Sequence, residues 1–383
     1  MKAPSQGLKS DPSRILVRGV NWLGDAVMTT PALRRLRERF PEAHLALLTH
    51  RKLADLWTNH PSLNEVITFD PEDSAWAVGR RLRAGHFDLA IILPNSPRSA
   101  FECWRGRIPE RIGYARPWRN WFLTRPVPTR SGHKQMVKRS AREISRLVNL
   151  PAPPPETTPP DTRRAHHIHE YLELVARLGA KAAPLPTQLA VQPEEIENVR
   201  RKFGLPDAST DARLVLGLNP GAEYGPAKRW PVEKFIAAAR AIQQHTPLVW
   251  VVFGGPPDRA IAEVIETALA SPAQPVLNLA GRTSLRELMA LLASCRVLLT
   301  NDTGPMHVAA ALGTPVVVPF GSTSPELTGP GLPGDPKHRL VRTLAPCSPC
   351  FLRECPIDFR CMASISVEQV VKAALSVNEI SKP

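Results

Sequence analysis

Four short stretches put carboxylates, cations and glycines just where an apolar run ends. The first is Gly19-Val-Asn-Trp-Leu-Gly24-Asp25, directly after residues 14–18. Its glycines have the spacing of a phosphate-binding loop, but Asp25 stands where that loop carries lysine, and a carboxylate there repels phosphate. What remains is a tight turn presenting one carboxylate, either a general base or the cap of the next helix. The second is Asn219-Pro-Gly-Ala-Glu-Tyr-Gly225-Pro-Ala-Lys228-Arg229-Trp230-Pro231. Gly221 and Gly225 let backbone approach a ligand, and Lys228 and Arg229 precede a helix, a composition suited to a diphosphate or to a solvated basic loop. The third, Phe253-Gly254-Gly255-Pro256-Pro257-Asp258, offers an acid for ribose hydroxyls or for a helix cap. The fourth is Thr300-Asn301-Asp302-Thr303-Gly304-Pro305-Met306-His307. Its helix start and the Thr303 hydroxyl can hold phosphate oxygens, while Asp302 orients Lys228, bonds a sugar hydroxyl or caps the helix.

Cys347-x2-Cys350-x4-Cys355-x5-Cys361 adds four thiols close to the end of the chain. This spacing matches neither a zinc ribbon nor the common iron–sulfur patterns, which leaves a structural metal, free thiols or a disulfide open.

These stretches need a scaffold that ends several strands on one side. The sequence alternates short apolar runs with amphipathic ones: strands at 14–18, 44–49 and 88–93, and helices at 31–40, 73–84 and 164–179. Strands at 213–218, 248–253, 276–279, 296–300 and 314–320 alternate with helices at 231–244, 258–269, 284–293 and 305–312. Such alternation predicts parallel sheets in two α/β units, with ligands bound beyond the strands' carboxyl ends. The boundary is expected at the proline-containing stretch 181–187, and the six prolines within 151–160 are expected to form an exposed loop.

The 383 residues carry 49 Lys+Arg against 35 Asp+Glu, a net charge of +14 that favours anionic partners. Twelve of the cations lie between Trp104 and Arg146, against two acids, with Trp104, Trp118, Trp121 and Phe122 among them. No apolar run is long enough to span a bilayer and no secretory signal opens the chain, so a cytoplasmic protein with reduced cysteines is expected. A basic nucleic-acid-binding protein fits the charge, but no RRM, KH or zinc-finger signature accompanies it.

Four segments carry a resemblance: Asn21-Trp-Leu-Gly-Asp-Ala-Val-Met28, Leu93-Pro-Asn-Ser96, Pro220-Gly-Ala-Glu-Tyr-Gly-Pro-Ala-Lys-Arg-Trp-Pro231 and Thr300-Asn-Asp-Thr-Gly-Pro-Met-His-Val-Ala-Ala-Ala311. In this order they resemble the glycosyltransferase family 9 heptosyltransferases, across most of residues 14–330. The resemblance implies an α/β GT-B fold, two Rossmann-like domains with parallel sheets facing across a cleft. Residues 1–183 would bind the acceptor and 184–365 the nucleotide sugar, and 366–383 would form a helix crossing back to the first domain. It further implies inverting transfer of L-glycero-D-manno-heptose from ADP-heptose to the first heptose of a Kdo2-lipid A-type glycolipid, releasing ADP. The alternatives are the first or third heptose transfer, or another GT-B nucleotide-sugar transfer.

In that scheme Asp25 would deprotonate the acceptor hydroxyl, and Lys228 would stabilise the departing diphosphate. Gly221, Arg229, Gly254, Asp258, Thr283, Asp302, Thr303, Gly304, Met306 and His307 would complete the donor side, and Asn95, Ser96, Arg98 and Lys134 the acceptor side. The resemblance implies no required cofactor, although divalent cations affect family members. It also implies peripheral contact with the cytoplasmic face of the bacterial inner membrane, through the basic, Trp-rich segment.

Overall fold

The computed structural model describes residues 10–130, 132–149, 162–207, 210–271 and 274–377. The proline-rich stretch 151–160 lies outside the described residues. Among the described residues are twelve strands in two six-stranded sheets.

The first sheet comprises β1 (Arg14–Arg18), β2 (His44–His50), β3 (Glu65–Phe69), β4 (Leu89–Ile92), β5 (Glu110–Tyr114) and β6 (Arg125–Val127). They lie in the order β3-β2-β1-β4-β5-β6, every neighbouring pair parallel. The second sheet comprises β7 (Leu214–Asn219), β8 (Leu248–Val252), β9 (Val276–Asn278), β10 (Val297–Thr300), β11 (Val316–Phe320) and β12 (Arg339–Arg342). It repeats the same doubly wound order, β12-β11-β10-β7-β8-β9, again all parallel. Helices cover both faces of such sheets, which explains why β4, β8 and β11 are apolar and buried throughout and β10 is buried along its length.

The helices between the first six strands are α1 (Leu23–Met28), α2 (Thr30–Arg39), α3 (Ala75–Arg83) and α4 (Pro97–Arg105), followed by α5 (Ala141–Val148) and α6 (Ile168–Ala176). Then come α7 (Pro193–Phe203), α8 (Val232–Gln243), α9 (Arg259–Leu269), α10 (Leu285–Ser294), α11 (Gly304–Ala311), α12 (Pro325–Thr328), α13 (Arg360–Ala363) and α14 (Val367–Leu375). No helix among the described residues is long and apolar enough to cross a membrane.

The contacts divide the chain into two compact units, and the division differs from the expected one in three places. Residues up to Ala190 stay with the first unit, because the backbone after Lys181 is tied to α2: Arg35 Nε donates to the Ala183 carbonyl at 2.9 Å and Gln188 N–H to Thr30 Oγ1 at 3.1 Å. Residues 134–163 belong instead to the second unit. There Ile144 of α5 packs against Cys347 and Cys350, and Arg139 N–H donates to the Cys350 carbonyl at 3.1 Å. The last helix, expected to cross back, packs with the second unit: Val370, Ala374 and Val377 share a core with Trp230, Phe235 and Trp250. Its apolar face completes that core, and Trp230 Nε1 donates to the Ile365 carbonyl just ahead of it at 3.1 Å.

The first unit buries an ion pair. Arg18 Nε lies 2.9 Å from Glu102 Oε2, with side chains 3% and 0% exposed, and the guanidinium covers the Phe69 ring at 4.4 Å. Removing one partner leaves the other charge desolvated and uncompensated. Glu102→Ala should therefore cost about 3–5 kcal/mol of stability, read as a lowered urea midpoint. A loss below about 1 kcal/mol, the size of a surface pair, would show that Arg18 is compensated elsewhere.

Candidate functional site

In both sheets the strand order reverses between the first and fourth strands of the unit, β1 and β4 or β7 and β10. Loops leaving the carboxyl ends of such a pair diverge, and the crevice between them is where ligands bind in open α/β sheets. The four chemically suggestive stretches all leave carboxyl ends, following β1, β7, β8 and β10.

In the second unit, Asn219 and Thr300 are register partners at the ends of β7 and β10, and Asn219 Nδ2 donates to Thr300 Oγ1 at 3.0 Å. Asn301 then fastens the two loops. Its Oδ1 accepts from Trp230 N–H at 2.9 Å and its Nδ2 donates to the Pro220 carbonyl at 2.7 Å. Across this frame Lys228 Nζ donates to Asp302 Oδ2 at 2.8 Å and to the Asp302 carbonyl at 3.2 Å. The pair is nearly buried, with side chains 15% and 4% exposed, and Asp302 Oδ2 also accepts from Thr323 Oγ1 at 2.6 Å. An ammonium has three N–H donors. These bonds use two, and no third hydrogen-bond acceptor meets Lys228 Nζ among the described residues.

Asp302 does not cap α11: the N-cap is Thr303, in extended conformation, and no side chain caps the helix there. Pro305 has no N–H, and Met306 N–H donates to the Thr303 carbonyl at 3.1 Å. The Gly304 N–H, the Thr303 hydroxyl and the positive end of the helix are thus what α11 offers a phosphate. Met306 and His307 are buried within the helix, whereas Thr303 and Gly304 are half-buried.

Asp258 also departs from simple capping of its helix. Its side chain makes no cap bond to α9; it accepts from the Gly255 N–H at 3.0 Å and from the Arg229 guanidinium at 3.4 Å. A Cβ on Gly221 would lie 2.4 Å from this carboxylate, and one on Gly254 would lie 2.8 Å from Asp258 Cβ. The two glycines are the seat of the acid. Thr283 is half-buried, immediately before Ser284, the cap of α10.

Sequence reasoning missed the clasp on the Lys228 loop. Tyr224 lies beneath Lys228, Nζ to ring 5.1 Å, and donates its hydroxyl to the Phe351 carbonyl at 2.9 Å. Ala227 N–H donates to the Arg353 carbonyl at 3.0 Å, and Gly225, at φ +152, sits so close that a Cβ would lie 2.5 Å from that oxygen. The segment between Cys350 and Cys355 thereby anchors the loop. All six cysteines are free, and among the described residues no group of three or more His, Cys, Asp or Glu is arranged to hold a metal ion. Cys347 and Cys350 pack against α5, the Cys361 sulfur lies over Gly321, and Cys355 Sγ accepts from the Phe359 N–H at 3.2 Å. Burial, reinforced by the neighbouring cysteines, pushes the Cys361 thiol up to about 12.

In the first unit Arg18 NH1 donates to the Gly19 carbonyl at 2.6 Å and to Asn21 Oδ1 at 3.2 Å, setting the turn that leads to Asp25. Asp25 lies half-buried in the first turn of α1, whose N-cap is Trp22. Its charge reaches Tyr171 of α6, which the sequence presents only as a core position. Burial, and then the Asp25 charge, raise this phenol well above its ordinary range. The other expected acceptor residues have employment within the fold. Asn95 Oδ1 accepts from the buried Arg119 at 3.1 Å, Ser96 caps α4, and Arg98 Nε donates to Glu102 at 2.9 Å. Lys134 is exposed and belongs to the second unit.

Residues 75–359 match the family model described as Glycosyltransferase family 9 (heptosyltransferase). The chain is 31% identical over 325 residues to a lipooligosaccharide heptosyltransferase 2 of Haemophilus ducreyi, covering 83% of this chain and 86% of that protein. It is 32% identical to a lipopolysaccharide heptosyltransferase 2 of Salmonella typhimurium, covering 83% and 85%. Among solved structures it is similar to the ADP-heptose LPS heptosyltransferase II of E. coli, with TM-score 0.73, 28% identity and coverage of 95% and 98%.

The Asp258 seat yields a direct test. Gly221→Ala must displace the carboxylate, and ADP affinity measured by calorimetry should fall by about tenfold, the equivalent of one charge-assisted hydrogen bond. Unchanged affinity would show that Asp258 does not contact the nucleotide.

Proposed function

Since the chain belongs to glycosyltransferase family 9, the heptosyltransferases, we propose that Asp25 and Lys228 divide the chemistry of heptose transfer between its two units. The protein is a lipopolysaccharide heptosyltransferase of α/β GT-B class, acting in the inner core. The donor is ADP-heptose, and the acceptor is the first heptose of a Kdo2-lipid A-type glycolipid at the cytoplasmic face of the inner membrane, held there peripherally.

In the step itself, Asp25 accepts the proton of the acceptor hydroxyl as its oxygen attacks the anomeric carbon. The bond from that carbon to the ADP oxygen breaks on the opposite face, so the anomeric configuration inverts. Charge then accumulates on the departing diphosphate, where the third N–H of Lys228, the Thr303 hydroxyl and the Gly304 N–H are ready to receive it. Groups held in place before the reaction stabilise such charge without reorganising, and this is where an enzyme gains most. The observation that carries this reading is the Lys228–Asp302 pair: it holds an ammonium beside a helix N-terminus in the crevice between β7 and β10. Asp258 is suited to the ribose hydroxyls, and Arg229 to holding that carboxylate in place.

Turnover decides the acceptor. ADP release from ADP-heptose is expected with a heptosylated Kdo2-lipid A acceptor and not with one lacking heptose; the reverse would make this the first heptose transfer. Mutants separate the roles. Asp25→Ala should lower kcat by about 10²–10⁴-fold, the usual contribution of a general base, with ADP affinity nearly unchanged. A collapse of ADP affinity would contradict a role on the acceptor. Lys228→Ala should weaken ADP binding and lower kcat by about 10²–10³-fold, as for loss of one preorganised donor. Wild-type values for both would refute the diphosphate role.

A further inference from the structure

The first unit carries an exposed aromatic surface that the reaction does not use. Trp76 of α3 meets Phe101 of α4 at 5.5 Å between ring centroids, and Phe101 meets Trp104 at 5.6 Å and Phe122 at 5.4 Å. Trp118 and Trp121, on the turn between β5 and β6, pack edge to face at 5.8 Å. Four of these indoles face solvent: Trp76 is 59% exposed, Trp104 44%, Trp118 72% and Trp121 77%. Isolated exposed hydrophobics are ordinary, but indoles gathered on one face mark an interaction surface.

The turn that carries the outermost pair is hydrogen-bonded into the fold. Between them Arg119 is fully buried and donates to Asn95 Oδ1 at 3.1 Å, while Asn120 Oδ1 accepts from the Arg116 N–H at 3.0 Å. Trp118 itself adopts φ +64, a region that bulky side chains avoid. Burying this indole would relieve its exposure, yet the turn points it outward.

Charge identifies the occupant. Of the segments forming this face, α3 and residues 115–125 contain no acidic residue, and the single acid of α4, Glu102, is buried against Arg18 and Arg98. Arg80, Arg83 and Arg107 are exposed around it, and the Arg105 guanidinium covers the Trp76 ring at 4.7 Å. Indoles rimmed by arginines are the composition of an interfacial membrane contact, the rings at headgroup depth and the cations against anionic lipid.

We propose that the face bearing Trp76, Trp104, Trp118 and Trp121 docks the enzyme on an anionic phospholipid surface. The inference rests on the reading of the acceptor as a membrane-held glycolipid, and it gives that reading its contact surface on the chain. Of the basic stretch, Arg105 and Arg107 flank this face, Arg119 is buried within the fold, and the residues from Lys134 onward belong to the other unit.

The test is sedimentation of the full chain with vesicles of pure phosphatidylcholine and with vesicles of equal parts phosphatidylcholine and phosphatidylglycerol. Binding to the anionic vesicles alone, with a blue shift of tryptophan emission, is expected. Trp118→Ser with Trp121→Ser should weaken it by about tenfold or more, and Arg80→Glu with Arg83→Glu should weaken it and flatten its salt dependence. Both pairs should release ADP at the wild-type rate with a water-soluble acceptor lacking acyl chains, which shows that they fold. Vesicle binding unaltered by the tryptophan pair, or equal on neutral and anionic vesicles, overturns the proposal. So does a wild-type dimer that the tryptophan pair dissolves, which would make a second copy the occupant. The vesicle readout involves no heptose transfer, so failure of the acceptor assignment would leave it standing, and the reverse.

Discussion

The Lys228–Asp302 ion pair is the contact on which the arrangement of the second unit's crevice depends. A doubly wound sheet opens a crevice between the loops after β7 and β10, and nothing in the sheet itself brings those loops together again. The pair spans that gap at 2.8 Å, and the Asn301 side chain ties the backbone on both sides of it. A buried ammonium and carboxylate are tolerated only when each is bonded on more than one side. Thr323 supplies the second bond to Asp302, and the Tyr224 ring supports Lys228 from beneath. A cation held in this way is oriented before any ligand arrives.

The first unit answers the same topological problem with different side chains. There the buried Arg18 reaches with its Nε from the end of β1 to Glu102 on α4, and with its NH1 holds the Gly19–Asn21 turn. Asp25 follows on a short helix, and its charge reaches the buried Tyr171 phenol. One unit therefore presents a carboxylate and the other an ammonium, each at the carboxyl ends of a parallel sheet.

Two features that looked peripheral prove to be tied to this arrangement. The cysteine-rich segment presents the Phe351 and Arg353 carbonyls to the loop of Lys228, so its packing against α5 reaches the site through backbone hydrogen bonds. The basic stretch divides between the units: its tryptophans decorate α4 and the turn after β5, while its later part, through α5, supports the cysteine segment.

Read alone, the amino-acid sequence determined the alternation of strands and helices, the placing of the glycine and carboxylate stretches at strand ends, and the family. These are local properties: apolar period, turn chemistry and short contiguous motifs record them directly. Strands β3, β5 and β6 were harder to see, since Glu65–Phe69, Glu110–Tyr114 and Arg125–Val127 are short and partly polar. Only the tertiary structure decided that Thr323 bonds Asp302, that the Asp25 charge reaches Tyr171, that Asp258 occupies the space left by Gly221, and that residues 134–163 and α14 join the second unit. Each of these depends on residues tens of positions apart meeting at one point. Such a meeting is set by how helices pack on a twisted sheet, and no local pattern of side chains encodes it.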